Sequence, residues 1–384
     1  MTEALVFRVA LGIAALHAVD DALLHRQPGV GAGQHLLALA LALAGAGAAA
    51  VAYPRLRPGV RAALAFAFGG LALVNGALHA VHVLLYGPAA SDLSGLLALT
   101  AGVVLVGLAA AVPWRHRGSG AATRAGRVRN RVLATAGGFL AMLFVLGPLG
   151  LAISETHKWR EPVGDPPSAA YRAVAFRASD GLELRGWYRP TRNGATVLVL
   201  HGGGSDRRGA VRHSELLARR GYGVLLYDAR GRGESEGTPN GYGWDWGKDV
   251  AGALRFLAAR PEVDRERIGA LGLSTGADVL LEVVALGGDL HAVVADGAAA
   301  GSFEDWRRLR GTELGLPPGF VMFAAMRVLS GDPPGPPLED LMARIEQPTL
   351  LISAGTDVER DFNVIYDKAA RVLRVVGFLN EALL

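Results

Sequence analysis

The chain has 384 residues and no cysteine. That excludes a disulfide framework, a thiolate metal centre and a thiol nucleophile, and it leaves the redox compartment undecided. Charge is also sparse: charged residues make up 19% and the net charge is only +4. This is too weak for the basic footprint of a nucleic-acid binder, and the arginines cluster beside apolar stretches, as they do in membrane proteins. No histidine follows residue 291, so the last part of the chain offers no imidazole as a proton acceptor.

What is abundant is apolar sequence, 51% of all residues, and it is unevenly spread. Up to about residue 154 the chain is mostly Ala, Leu, Val and Gly; beyond that it reads as an ordinary globular sequence. The asymmetry predicts a membrane half and an α/β half. The expected boundaries are a transmembrane domain over 1–155, a Pro-rich linker over 156–170 and a globular domain over 171–384, with an insertion at about 300–346.

Five apolar stretches, at about 5–24, 34–53, 62–86, 93–113 and 132–153, approach the roughly 20 residues that cross a hydrocarbon core. A cleaved signal peptide is the rival reading for the first, but its polar residues fall where an apolar signal core should end. The loops give an orientation. Residues 53–61 hold three arginines and 114–131 hold six, against none in 86–95 and one in 25–33. Positive loops stay cytoplasmic, so five spans place the N-terminus inside and the globular domain outside the cytoplasm. The lipid bilayer is the expected partner of this half.

Polar residues inside spans are costly. His17, Asp20 and Asp21 end the first span, and Asn75, His79 and His82 end the third; His25, His35, Glu155 and His157 lie at the same boundary. The i, i+3 and i, i+4 spacings put each group on one helix face. Two readings fit: a divalent metal held by imidazole and carboxylate, or interhelical hydrogen bonds, the commoner use of such residues.

From residue 171 short apolar runs alternate with helical stretches. "YRAVAFRA" and "LELRGWYR" flank "SDG" as a hairpin; "ATVLVL", "YGVLLY", "RIGALGL", "HAVVAD" and "PTLLIS" read as buried parallel strands. Gly272-Leu273-Ser274-Thr275-Gly276 is a G-x-S-x-G pattern at a strand-to-helix turn. Such a sharp turn leaves no room for side chains beside the serine and aims its hydroxyl at the positive end of the next helix. "HGGGSD" (201–206), "YDARGRGESEG" (227–237) and "SAGTDVERD" (353–361) each follow a strand. The backbone amides of Gly203 and Thr275 are candidates for an oxyanion hole.

In this order the motifs resemble the α/β-hydrolase superfamily, nearest its serine-hydrolase branch of esterases, dienelactone-hydrolase-like proteins and serine aminopeptidases. The resemblance implies Ser274 as nucleophile, Asp357 as the acid that orients the base, no cofactor, and an ester, thioester, amide or peptide substrate under a cap. The apolar "GFVMFAAMRVL" (319–329) fits either a pocket lining or cap core. The family's last strand and its triad histidine have no counterpart; Ala370 runs directly into Arg371 where they belong. An impaired membrane-anchored serine hydrolase, a non-catalytic binding protein that keeps the old pocket, and a membrane domain that binds metal or lipid are the three functions the sequence allows.

Overall fold

In the computed structural model residues 2–26, 30–115, 123–157, 160, 162–298, 301–310, 316–352 and 368–384 are described. The chain divides into two units. Met1–Arg26, Val30–Ser154 and Leu314–Gly331 form the first; Gln27–Gly29, Glu155–Glu313 and Asp332–Leu384 form the second.

The first unit is helical throughout. Its helices are α1 (Glu3–Val19), α2 (Leu36–Ala52), α3 (Pro58–Tyr86), α4 (Asp92–Arg115), α5 (Arg124–Ala141) and α6 (Gly147–Thr156). A π-helical turn, Asp20–Leu24, extends α1, and another, Met142–Leu146, joins α5 to α6. Four helical stretches are long and apolar enough to cross a membrane: Leu36–Arg55, Pro58–Tyr86, Asp92–Arg115 and Ala136–Thr156. They mark the chain as a membrane protein. The first predicted span is shorter, a 17-residue helix plus its π turn.

Helices α3 and α4 form an antiparallel pair packed through small residues. A Cβ on Gly76 would fall 2.5 Å from Leu99 N, and one on Gly102 would fall 2.8 Å from Leu73 N. Hydrocarbon gives no hydrophobic drive between helices, so close backbone approach through small residues is what holds such a pair. Large apolar side chains such as Leu37, Leu41, Leu84 and Val103 remain exposed, as lipid-facing positions require. The helix Leu316–Ser330, which lies within 300–346 by sequence, contacts α2 and the Met142–Leu146 turn in this unit.

The second unit is built on one sheet. Strands β1 (Arg172–Arg177) and β2 (Glu183–Arg189) form an antiparallel hairpin. β3 (Thr196–Leu200), β4 (Gly223–Tyr227), β5 (Ile268–Leu273), β6 (Ala292–Asp296) and β7 (Thr349–Ile352) follow, in the order β1-β2-β4-β3-β5-β6-β7. Pairing from β3 through β7 is parallel. Strand side chains alternate between faces, and both faces are covered. Leu198, Leu200, Leu225 and Tyr227 face one way, onto Trp246, Val250 and Leu257 of α8 (Trp246–Ala258) and Val279, Leu280 and Val284 of α9 (Thr275–Ala285). Val197, Val199, Val224 and Leu226 face the other way, onto Leu217 of α7 (Val211–Arg219) and Leu379 and Leu383 of the C-terminal helix.

That C-terminal helix runs unbroken over Lys368–Leu383, so Ala370 and Arg371 lie in its first turn. Among the described residues the sheet ends at β7, without the last strand of the α/β-hydrolase pattern. The chain leaves β3 for β4 on one side and returns to β5 on the other. The crevice at this reversal, outside the carboxyl ends of β3 and β5, is where open parallel sheets bind ligands.

Candidate active site

Ser274 stands between β5 and α9 with φ 51° and ψ −122°. A non-glycine residue in that region costs on the order of 1–3 kcal/mol and persists only where its surroundings impose it. Here they do. A Cβ on Gly272 would overlap the carbonyl of Gly276, and one on Gly276 would lie 2.6 Å from His201 O and 2.7 Å from Leu200 O. The turn is thus pressed between its own backbone and the end of β3. The Ser274 N–H donates to Asp296 O at 2.8 Å, which pins the elbow to β6.

Register brings the oxyanion loop alongside, because Leu200 pairs with Gly272 across β3 and β5. A Cβ on Gly202 would sit 3.3 Å from Ser274 Cβ and 3.9 Å from its Oγ. A Cβ on Gly203 would run into Gly241 O and approach Thr275 Oγ1 to 2.7 Å. Thr275 Oγ1 donates to that same Gly241 carbonyl at 3.0 Å. Ser274, Gly203 and Thr275 therefore share one small region; Asp357 lies outside the described residues.

The candidate bases can be placed one by one. His201 is fully buried. Its Nδ1–H donates to Gly202 O at 2.8 Å and its Nε2 accepts the Ala229 N–H at 3.1 Å, so both nitrogens are committed. Burial pushes its pKa down to about 4. This imidazole braces the oxyanion loop against the end of β4. The backbone N–H of His291 donates to Ile268 O, at the opening end of β5. A strand of this length separates it from Ser274 by about 20 Å. His213 is on α7, and His157 Nδ1 lies 3.0 Å from Thr156 Oγ1.

A model of the X-Pro dipeptidyl-peptidase (S15) family matches residues 154–357, more than half of the chain. The chain belongs to the X-Pro dipeptidyl-peptidase (S15) family. Among curated proteins, this S15 chain is 34% identical over 125 residues to the uncharacterized protein YfhR of Salmonella typhi, covering 31% of this chain and 42% of that protein. It is 36% identical over 116 residues to thiohydrolase aneE of Aspergillus aculeatus, covering 29% and 36% respectively. The chain thus spans less than half the length of either relative. The Pyrococcus furiosus esterase Pf2001 superposes with a TM-score of 0.46 and 21% identity, over 60% of this chain and 99% of that one.

Much of the charge around the S15 elbow is structural. Asp228 accepts from the backbone N–H of Arg207 at 2.9 Å, its guanidinium at 2.5 Å and Glu234 N–H at 2.9 Å. Arg230 is clamped between Asp249 and Asp180. The loop over 227–237 is therefore held by buried ion pairs, which its sequence alone did not reveal. Sequence reasoning grouped Glu155 with the polar residues at the membrane boundary and did not single out Arg232. The Gly241 N–H donates to Glu155 O at 3.1 Å, and the Glu155 carboxylate lies against Gly241, the residue touching Gly203 and Thr275. Arg232 is buried, which pushes its pKa down to about 10, and the charges of Glu155 and Asp206 act on it. An arginine between two glycines after a strand was the available sequence signal.

In the membrane unit, His17, Asp21 and His79 bring one ligand atom each to within 4.8 Å of one another. Asp20 bonds to Ser94 and His25, and His82 bonds to Asp92.

Proposed function

We propose that this chain is a membrane-anchored serine hydrolase in which Ser274 attacks a carboxylic ester, thioester or amide, including a peptide bond, and forms an acyl-serine intermediate. The observation that carries the reading is the Ser274 backbone, φ 51° and ψ −122°, at a strand-to-helix turn beside the glycines of the 201–204 loop. The amides of Gly203 and Thr275 stabilise the oxyanion, and Asp357 is the acid of the charge pair. The names of the relatives, a thiohydrolase and an S15 peptidase family, agree with acyl transfer as the chemistry.

The same reading makes this chain slow. A serine needs a base within about 3 Å to take its proton. His201 has both nitrogens occupied, and no histidine follows residue 291. Loss of a triad base costs about 10⁴–10⁶ in rate, roughly 6–8 kcal/mol of barrier, while oxyanion binding alone retains about 10³–10⁴ over water. Those occupied nitrogens also favour a second reading, a binding protein that keeps the acyl pocket.

The arginine-rich loops 53–61 and 114–131 support a hydrolase unit outside the cytoplasm. The test of function is turnover by the full chain in detergent, with p-nitrophenyl esters, thioesters and X-Pro p-nitroanilides. Slow hydrolysis removed by Ser274→Ala supports the hydrolase. Saturable binding of a substrate analogue with no turnover above the Ser274→Ala level supports the binding protein.

A further inference from the structure

The His/Asp cluster of the membrane unit has a hydrogen-bond pattern that plain helix glue does not explain. The only proton on Ser94 Oγ goes to Asp20 Oδ2, at 2.5 Å. The 3.0 Å contact between His17 Nδ1 and Ser94 Oγ therefore has His17 as donor. His79 Nδ1 lies 3.2 Å from Asp92 Oδ1, and a carboxylate only accepts, so His79 donates there too. With both Nδ1–H groups spent outward, the two Nε2 atoms carry their lone pairs inward.

They converge on a third acceptor. His17 Nε2 lies 3.5 Å and His79 Nε2 3.9 Å from the carboxylate of Asp21. The His17 Nε2 is buried and makes no hydrogen bond among the described residues. In the neutral imidazoles these two nitrogens and the Asp21 carboxylate offer three ligand atoms within 4.8 Å of one another. Around them stand the carboxylates of Asp20, Asp21 and Asp92, with which no arginine or lysine pairs among the described residues. Buried charge of one sign at the end of a membrane bundle calls for a cation.

We propose that His17, Asp21 and His79 hold a divalent transition-metal ion, zinc first, with a coordination position left open. Two imidazoles and a carboxylate are a ligand set such ions take. Imidazole ligands characteristically donate the other ring N–H to a carboxylate or its relay, as His79 does to Asp92 and His17 does through Ser94 to Asp20. Metal–ligand bonds near 2.1 Å set ligand atoms about 3.3 Å apart, so the present triangle closes by at most about 1.5 Å, within reach of side-chain torsions. The fold also leaves space for the His79 ring: a Cβ on Gly95 of α4 would overlap it. Asp21 keeps 24% of its side chain exposed, which gives ion and water a way in. The ion would tie α1 to the α3–α4 pair at one depth.

The test uses the full chain in detergent, stripped with EDTA, dialysed against zinc and assayed for bound metal. The expected content is about one zinc per chain. Asp21→Asn and His17→Ala should each lower it at least tenfold, while His35→Gln, outside the triangle, should not. Cobalt in place of zinc should give visible ligand-field absorption in the wild type, a readout that holds even if a variant fails to fold. Added zinc should raise the Tm of the wild type and leave that of Asp21→Asn unchanged. Less than a tenth of an ion per wild-type chain, or wild-type content in both variants, overturns the proposal.

Discussion

Lowering the pH should charge His201 inside the folded chain, at a cost that can be worked out. The ring is fully buried, donates to Gly202 O and accepts from Ala229 N–H, and burial holds its pKa near 4. In the unfolded chain the value is about 6.5. The folded form therefore binds a proton more weakly than the unfolded form. Its contribution is complete above pH 6.5 and is lost as pH falls towards 4, and the gap between the two values is worth about 3 kcal/mol. His201→Asn removes the titration while keeping a donor and an acceptor at the site. The assay is urea unfolding of both proteins in detergent at pH 7 and pH 4.5, and the quantity read is the stability difference between them. About 2–3 kcal/mol of the wild type's relative stability should be gone by pH 4.5. The fixed cost of losing the ring's edge contact with Trp246, 5.2 Å between centroids, cancels in the comparison. An unchanged difference would mean that His201 titrates normally, and the argument that its nitrogens are committed would fail.

The elbow should tolerate no added methyl: Gly276→Ala puts a Cβ 2.6 Å from His201 O, a backbone atom, and should lower stability by about 1–3 kcal/mol in the same urea assay. Asp228→Asn removes one of the two carboxylates that hold the buried Arg207 guanidinium, leaving Glu234, and should cost about 1.5–3 kcal/mol. An alkaline phosphatase fusion after residue 165 should be active, and a fluorescent protein that matures only in the cytoplasm should be dark there; the reverse pattern would invert the orientation.

The sheet was legible because its strands are unbroken apolar runs between helical stretches, and such runs are buried on both faces. The elbow was legible because Gly272 and Gly276 flank Ser274 at the spacing that backbone crowding demands. Contacts made by distant segments were not. Glu155 reads as part of a span's polar edge, yet its carbonyl holds Gly241, far along the chain. The residues of Leu316–Ser330 are apolar on most sides, and that pattern does not say which unit they join; they contact α2. The first apolar stretch looked like the other spans, but its helix passes at Asp20 into a π turn that carries the acids. Residues 368–383 form a single helix across Ala370 and Arg371, where no helix breaker stands.

The proposal to test is a nucleophile elbow, φ 51° and ψ −122° at Ser274, with no histidine positioned as its base among the described residues. The direct measurement is the rate at which a fluorophosphonate probe labels the full chain, with Ser274→Ala as the blank. The account predicts labelling at or barely above the blank, and faster labelling when a strand–turn segment carrying histidine is inserted ahead of Lys368. Rapid labelling of the unaltered chain that Ser274→Ala abolishes would contradict it, because some other group would then be taking the proton.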